Sequence, residues 1–142
     1  MPSEKIFKCD DAILNPAVKA HIASLYMAVD SKAIPEWVAH FTEDAIFKKG
    51  ATNVQGRAAL EPLMQKSWST LAARDHVIYA VFPFSGPKTE EVMLHGQSYN
   101  TYLNDTKGTF TWAARMHFTY QPDGSVLIDR YTIIVDTEPA TL

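Results

Sequence analysis

The chain has 142 residues, and its 13 lysines and arginines against 16 aspartates and glutamates give a formal net charge of −3. Hydrophobic residues make up 46% of the sequence, so a single domain with an ordinary hydrophobic core is expected. The small negative charge and the lack of a basic cluster argue against nucleic-acid binding, which needs cations to neutralise phosphates. The only cysteine, Cys9, excludes a disulfide within the chain and a metal site built from several cysteines.

The N-terminal segment lacks the apolar core of a signal peptide, and no apolar run is long enough to span a membrane. We therefore expect a soluble, cytoplasmic protein that makes no membrane contact. Residues 1–14 are predicted to form a loose N-terminal arm, and residues 15–142 a single domain.

A first helix is predicted to begin at Asn15 and Pro16. Asparagine caps helix N-termini, and proline is tolerated at the first helical position. The helix is expected to end near residues 30–32, and its apolar residues recur at helical spacing, so they form one stripe. That stripe consists of Val18, Ile22, Leu25, Tyr26 and Val29.

Two further helices are predicted in the first half of the chain. A short one begins near Pro35, and Trp37 lies on its inner face. The next covers residues 57–71. Pro62 interferes with its first part, because a proline inside a helix removes a hydrogen bond. The regular portion of this helix is therefore expected to begin near Glu61.

Strands account for most of the remaining chain. A short strand over residues 45–49 is followed by a polar loop over residues 50–56, and another strand over residues 75–84 ends at a Ser-Gly-Pro turn, residues 85–87. Three long strands then follow one another, at residues 91–103, 108–120 and 125–136.

The strand at residues 108–120 alternates strictly between apolar and polar side chains, which is typical of a half-buried strand. Its apolar face consists of Phe110, Trp112, Ala114, Met116, Phe118 and Tyr120. Helices that precede a run of long strands predict an α+β domain. We expect a mostly antiparallel sheet that curves around about three N-terminal helices.

The order of these elements resembles that of the SnoaL-like group within the nuclear-transport-factor-two-like superfamily. The resemblance covers nearly the whole chain and is carried by residues 37–47 (WVAHFTEDAIF), 56–60 (GRAAL) and 118–136 (FTYQPDGSVLIDRYTIIVD). It implies a cone-shaped domain, in which the helices and a curved sheet enclose an apolar pocket. The superfamily includes isomerases, dehydratases, polyketide cyclases and proteins without catalysis, so the fold alone does not assign the chemistry.

A sharper local likeness is to the scytalone dehydratases, which eliminate water from a polyketide-derived ring. Residues 30–32 (DSK), with Trp37 close behind, resemble the end of their first helix, and residues 74–78 (RDHVI) resemble a segment with a catalytic histidine. The resemblance implies that Asp30 and His76 form a catalytic pair. A carboxylate bonded to one ring nitrogen fixes the tautomer and raises the basicity of the other, which can then move a proton near neutral pH.

The sequence departs from that family at two points, and an alternative interpretation of the pair stays open. Val29 stands where those enzymes have a tyrosine, and their second histidine falls near Tyr102, in the strand that also carries His95. An aspartate at a helix end is often a cap or a solvated charge, and a histidine at the start of a strand is often a surface residue. Only the geometry of Asp30 and His76 decides between these roles.

Further residues are candidates for contact with a substrate. Most are aromatic or apolar and suit a flat hydrophobic ligand, and the others are polar groups on strands. The candidates are Tyr26, Trp37, Phe47, Lys49, Met64, Trp68, His95, Tyr99, Trp112, Met116, Phe118 and Asp129.

Several of these candidates have a second interpretation. Lys49 either binds an anionic or enolate oxygen or is a solvated charge at the rim. His95 and Tyr99 share one face of their strand, which is a pocket wall if it is concave and an interface if it is convex. A buried Asp129 would act as an acid or base, whereas otherwise it pairs with a cation such as Arg115.

The sequence also limits the chemistry. No pair of its five histidines has a local metal-ligand spacing with a carboxylate partner, and it has no glycine-rich phosphate loop or nucleophile elbow. We therefore expect no metal and no cofactor, and we interpret the chain as a cofactor-independent acid–base enzyme: a cyclase, isomerase or dehydratase.

The resemblance implies the partners of such an enzyme. The ligand would be a small hydrophobic molecule, a polyketide-like or terpenoid biosynthetic intermediate, and the protein would be a homodimer built on the convex face of the sheet. The alternative is a non-catalytic small-molecule-binding or dimerisation module of the same fold.

Overall fold

The computed structural model describes residues 2–84 and 88–136 of the chain. The turn predicted at residues 85–87 and the last residues of the predicted domain, 137–142, lie outside this part. The described helices and strands are α1 (Pro16–Asp30), α2 (Ile34–Val38), β1 (Phe41–Lys49), β2 (Thr52–Gln55), α3 (Arg57–Trp68), β3 (Leu71–Phe84), β4 (Glu91–Tyr102), β5 (Lys107–Tyr120) and β6 (Val126–Asp136).

The described strands form one sheet in the order β2-β1-β6-β5-β4-β3. Neighbouring strands are antiparallel except for β1 and β6, which run parallel. The helices pack against one face of this sheet. This arrangement confirms the predicted α+β class and the mostly antiparallel sheet around the N-terminal helices.

The first helix forms as its capping signal predicts. The side chain of Asn15 accepts a hydrogen bond from the backbone N–H of Ala17 at 2.8 Å, and Pro16 occupies the first helical turn. The predicted apolar stripe of α1 is buried. The helix therefore lies on the inner face of the sheet, near β3 and β6, and it delivers its last residue, Asp30, to that face.

Several element boundaries differ from the prediction. β1 begins at Phe41, and the predicted polar loop contains β2, which pairs with the end of β1 beyond a turn at Gly50. The φ angle of Gly50 is 57°, in the left-handed region that glycine adopts readily. The helix α3 runs regularly from Arg57 through Pro62, because the proline removes only one N–H and its ring is exposed to solvent. β3 begins at Leu71, earlier than predicted.

The N-terminal arm, which we expected to be loose, is held against the sheet. The backbone N–H of Lys8 donates to the carbonyl of Tyr79 at 3.0 Å, and the N–H of Val81 donates to the carbonyl of Lys8 at 2.8 Å. These contacts form a parallel bridge on β3, the last strand in the sheet order. An edge strand offers unpaired backbone groups, and the arm satisfies some of them.

The inner face of the sheet is set by alternation in β5 and by a bulge in β6. The face of β5 that carries Trp112 and Phe118 is buried, as predicted. In β6 the pairing register with β5 shifts at Asp129. A bulge inserts one extra residue and changes the direction of the side chains beyond it. Tyr131 therefore lies buried on the inner face, although strict alternation from Ile128 would place it outside.

Candidate active site

A cavity of about 700 Å³ lies between the helices and the inner face of the sheet. A smaller space of about 300 Å³ adjoins it toward β4 and β5. Residues that line both spaces are Tyr26, Lys49, Arg74, His76, Tyr131, Ile133 and Val135. Together the two spaces are large enough for a small organic ligand.

Asp30 and His76, the pair implied by the resemblance, meet at the wall of this cavity. Asp30 ends α1, and His76 lies in β3 and lines both spaces. His76 Nδ1 is 2.5 Å from Asp30 Oδ1, and the backbone N–H of His76 donates to Asp30 Oδ2 at 2.6 Å. The Asp30 side chain is 0% exposed and that of His76 is 17% exposed. One carboxylate thus fixes both the backbone and the ring of His76.

These contacts determine the protonation of His76. Burial lowers the pKa of His76, although the Asp30 carboxylate opposes this effect, so the ring is neutral at neutral pH. A carboxylate only accepts hydrogen bonds, and therefore Nδ1 carries the ring hydrogen. Within residues 2–84 and 88–136, no side chain or backbone group bonds to Nε2. The lone pair of Nε2 is therefore available to accept a proton from a ligand.

Lys5 of the N-terminal arm completes the network around Asp30. Its ammonium donates to Asp30 Oδ2 at 2.7 Å, to Asp75 Oδ1 at 2.9 Å and to the carbonyl of His76 at 2.7 Å. The Lys5 side chain is only 2% exposed, and a buried charge is costly unless it is paired and hydrogen-bonded. These acceptors match the three hydrogens of the ammonium. The arm is therefore part of the site rather than an appendage.

Two tyrosine hydroxyls meet beside the histidine. Tyr26 Oη lies 2.6 Å from Tyr131 Oη, and the Tyr26 ring is centred 5.2 Å from the ring of His76. Burial raises the pKa of both phenols, so both remain protonated near neutral pH. Their mutual hydrogen bond uses one of the two hydroxyl hydrogens. The other can be donated to an acceptor such as a carbonyl oxygen of a ligand.

The smaller space has buried polar atoms on its wall. Trp112 Nε1 and Asn100 Oδ1 lack a hydrogen-bond partner in the part of the chain that the structure describes. Both residues line this space together with Ser98. Because buried polar groups in folded proteins are nearly always hydrogen-bonded, these atoms favour a polar ligand group at this end.

Positively charged side chains lie on the wall of the larger space. Lys49, Lys66 and Arg74 line it. The two lysines are exposed, whereas Arg74 is half-buried, with its guanidinium 5.4 Å from the centre of the Trp68 ring. Burial lowers the pKa of Arg74. Although the Lys49 residue as a whole is exposed, it lines the cavity, and partial desolvation there, together with the nearby charge of Arg74, lowers its pKa.

The structure places the predicted substrate contacts in three regions. Those that line the cavity are Tyr26, Trp37, Phe47, Lys49, Met64 and Trp112. Trp68, Met116 and Phe118 are buried in the core and do not line it. Apolar residues of the core and of a cavity wall look alike in a sequence, which is why the prediction did not separate them.

The remaining candidates lie on the outer face of the sheet, which corrects their assignment as pocket residues. His95 and Tyr99 are exposed there, because the alternation of β4 buries the opposite side chains. Asp129 accepts hydrogen bonds from His117 Nδ1 at 2.7 Å and from Thr119 Oγ1 at 2.5 Å. It therefore pairs outside the cavity, and its partner is His117 rather than Arg115.

Sequence reasoning missed three residues of the site: Lys5, Arg74 and Tyr131. The signal for Arg74 was present, since it stands two residues before His76 and strand alternation places both on one face. The inward position of Tyr131 could not be predicted, because the bulge at Asp129 interrupts the alternation of β6. The position of Lys5 could not be predicted either, because no sequence pattern indicates that the arm lies along β3.

Two further properties concern metals and membranes. Among the residues that the structure describes, no group of three or more His, Cys, Asp or Glu side chains is arranged to hold a metal ion. In the same two segments, no helix has the length and apolar character needed to cross a membrane.

Comparison with known proteins identifies the fold. No family model matches the chain, and no curated protein matches it. Solved structures do match over most of their length. Three of these structures are 13–16% identical to the chain, which is too low to assign an activity.

A ketosteroid isomerase-like protein from Erwinia carotovora atroseptica SCRI1043 matches with a TM-score of 0.69 at 16% identity, covering 87% of this chain and 95% of that chain. A candidate scytalone dehydratase from Novosphingobium aromaticivorans DSM 12444 has a TM-score of 0.69 at 15% identity, covering 89% of this chain and 87% of that chain. A candidate SnoaL-like polyketide cyclase from Shewanella denitrificans OS-217 matches with a TM-score of 0.70 at 13% identity, covering 86% of this chain and 92% of that chain. The chain thus has the SnoaL-like cone fold that its sequence resembles.

The Lys5 network predicts the effect of replacing Lys5 by methionine. The Lys5→Met variant should lose roughly 3 kcal/mol of unfolding free energy, because two carboxylates lose a buried partner. The pKa of His76 should rise, because the protonated ring is no longer repelled by the Lys5 ammonium. The positive charge on the ring then also balances the negative charge of Asp30. Denaturant titration measures the first effect, and an NMR titration of the histidine ring the second.

The matched control is Lys8→Met, on the same arm. Lys8 is exposed and its contacts with β3 use only the backbone, so stability and the His76 pKa should change little. Equal behaviour of the two variants would show that the Lys5 network does not support the site.

Proposed function

We propose that the protein is a cofactor-independent acid–base enzyme that removes a proton from a carbon next to a carbonyl group in a small hydrophobic molecule. The observation that carries this proposal is the 2.5 Å contact between His76 Nδ1 and Asp30 Oδ1 at the cavity wall. Titratable groups on that wall favour an enzyme over a non-catalytic binding module, for which an entirely apolar lining would suffice.

His76 acts as the general base. When the α-carbon of a substrate lies near Nε2, its C–H bond breaks, the proton joins Nε2, and the electron pair forms an enolate. The Asp30 carboxylate stabilises the imidazolium that results and keeps the ring oriented. A histidine whose pKa is lowered by burial is in its basic form at neutral pH, as this step requires.

The tyrosine pair stabilises the enolate oxygen. Tyr26 and Tyr131 share one hydrogen bond and retain one hydrogen for the substrate carbonyl. A hydrogen bond to the carbonyl strengthens as negative charge develops on the oxygen, so it stabilises the transition state more than the substrate. Because both hydroxyls are buried, water competes little for this bond.

The same enolate can lead to isomerisation, dehydration or cyclisation. Return of the proton to a different carbon gives isomerisation, loss of a hydroxyl group β to the carbonyl gives dehydration, and attack on a second carbonyl carbon gives cyclisation. We propose a polyketide-like or terpenoid intermediate as substrate, because the aromatic wall formed by Tyr26, Trp37 and Trp112 suits a flat ring system. Structural neighbours with names of these reaction classes support the same choice.

Proton abstraction can be tested without the natural substrate. The protein should accelerate exchange of the α-hydrogens of 2-tetralone for deuterium in D₂O, followed by proton NMR. His76→Ala should lower the accelerated rate by roughly 10²–10⁴-fold, the usual effect of a positioned base. Asp30→Asn should lose much of the same acceleration, and the double variant should lose little more, because the two residues act as one unit.

The outer face supplies a matched control. His117 and Asp129 also form a histidine–aspartate contact, at 2.7 Å, but outside the cavity. His117→Ala and Asp129→Asn should therefore leave exchange unchanged. The proposal would be refuted by an unaltered rate in folded His76→Ala, or by a wild-type rate equal to that of buffer.

We also propose that two copies pair through the outer face of the sheet. Exposed hydrophobic side chains cross this face, with Phe82 57%, Met93 45%, Tyr99 44% and Ile134 64% exposed. The exposed ring of His95 lies on the same face, 6.0 Å from that of Phe82. Large exposed apolar patches mark interaction sites, and a second copy of this face is self-complementary under two-fold symmetry.

Sedimentation should show a dimer for the wild-type protein. Ile134→Glu should shift the equilibrium toward the monomer, since two charges would be buried at the two-fold interface. Gln65→Glu, which adds a charge at an exposed residue of α3, should leave the dimer intact. A wild-type monomer at tens of micromolar, about the concentration at which a weak interface is populated, would contradict the proposed pairing.

A further inference from the structure

The charge on the cavity wall is opposite to that of the chain. The chain has a formal net charge of −3, yet the lining of the cavity contains Lys49, Lys66 and Arg74. The described lining residues of both spaces include no aspartate or glutamate. A concave surface lined by one sign of charge attracts ligands of the other sign.

Arg74 is the best-defined of these cations. One guanidinium nitrogen, Nη2, donates to Ser67 Oγ at 3.0 Å, and the group makes a cation–π contact with the Trp68 ring. Among the described residues, Arg74 forms no salt bridge. The Asp30 carboxylate attracts it only from beyond ion-pair distance, and that carboxylate is engaged by Lys5 and His76. The guanidinium is therefore held in place by neutral groups, with donors left for a partner.

Lys49 reinforces this arrangement from β1. It lines the same space as Arg74, and the positive charge of Arg74 acts on it. Like charges held close together are unfavourable unless an anion lies between or beside them. The structure describes no salt bridge for Lys49 either, so both cations lack a carboxylate partner within the described segments.

We propose that the cavity binds ring-shaped hydrophobic molecules that carry a carboxylate, with the carboxylate held by Arg74 and Lys49 on the cavity wall. A guanidinium and a carboxylate are complementary in shape and can form two parallel hydrogen bonds. The ring of such a ligand then extends toward Tyr26, Trp112 and His76, which line the adjoining space. This assignment rests on the proposed function for the chemistry at the ring, but the binding of the carboxylate is independent of it.

Lys66 contributes in a lesser way. It lies in the last turn of α3 and is exposed, so its attraction for an anion is screened by water and salt. Arg74 differs because it is half-buried beside the Trp68 ring, and a contact there resists screening. The selection should therefore persist at high salt and depend more on Arg74 than on either lysine.

Binding of a matched pair of probes tests the proposal. 2-Naphthoate and 2-naphthamide have the same ring and nearly the same shape but differ in charge. By isothermal titration calorimetry, the wild-type protein should bind 2-naphthoate about 10- to 100-fold more tightly, the value of a hydrogen-bonded charge contact. Arg74→Gln should lose most of this preference, Lys49→Gln part of it, and Arg74→Lys should retain some.

Lys48→Gln is the matched control. Lys48 precedes Lys49 in β1, is exposed and does not line the cavity, so removal of its charge should leave the preference intact. Circular dichroism checks that each variant is folded. Equal affinity of the wild-type protein for the two probes, an absence of 2-naphthoate binding, or an unchanged preference in the Arg74→Gln, Lys49→Gln double variant would overturn the inference.

The result is separable from the test of catalysis. If the naphthoate preference is absent but His76→Ala abolishes deuterium exchange, the carboxylate assignment fails and the enzyme proposal stands. If the preference is present and His76→Ala has no effect on exchange, the carboxylate assignment stands and the enzyme proposal fails. Binding of 2-naphthoate to the His76→Ala variant with its preference intact supports a carboxylate site that does not depend on the base.

Discussion

The organisation of the site depends on one buried carboxylate. Asp30 accepts hydrogen bonds from the backbone and ring of His76 and from the ammonium of Lys5, and its side chain is fully buried. A charge in that position is tolerable only if it is paired with a cation and hydrogen-bonded. It therefore joins the C-terminal end of α1, the strand β3 and the N-terminal arm at a single point. The histidine is oriented as a consequence of satisfying the carboxylate.

The rest of the fold brings other groups to this point. The bulge at Asp129 turns Tyr131 inward, where its hydroxyl meets that of Tyr26, and the alternation of β3 places Arg74 beside His76. The resulting wall has a histidine, a pair of hydroxyl donors and two cations arranged around one cavity. In the proposed function the first two groups serve proton abstraction next to a carbonyl, and in the further proposal the cations select a carboxylate.

Much of the fold was predictable because its signals are local. The alternation of β5, the cap at Asn15 and the helical stripe of α1 each follow from short patterns, and together with the resemblance they indicated the cone. The site was only partly predictable. The pairing of Asp30 with His76 was implied by the resemblance, but alternation in β6 fails at a bulge, and docking of Lys5 depends on a contact between distant segments. The sequence likewise did not show which face of β4 is buried, so His95 and Tyr99 were placed in the pocket.

In the proposed mechanism, Asp30 holds His76 as a neutral base whose Nε2 is free. Two-dimensional nitrogen-15 NMR of the histidine rings measures this directly, because the shifts of Nδ1 and Nε2 distinguish the tautomers and the imidazolium. At neutral pH, His76 should show a protonated Nδ1 and an unprotonated Nε2, and it should titrate below about 6.5, the ordinary value for histidine. A hydrogen on Nε2 at neutral pH, in either the opposite tautomer or the imidazolium, would show that His76 is not available as the base.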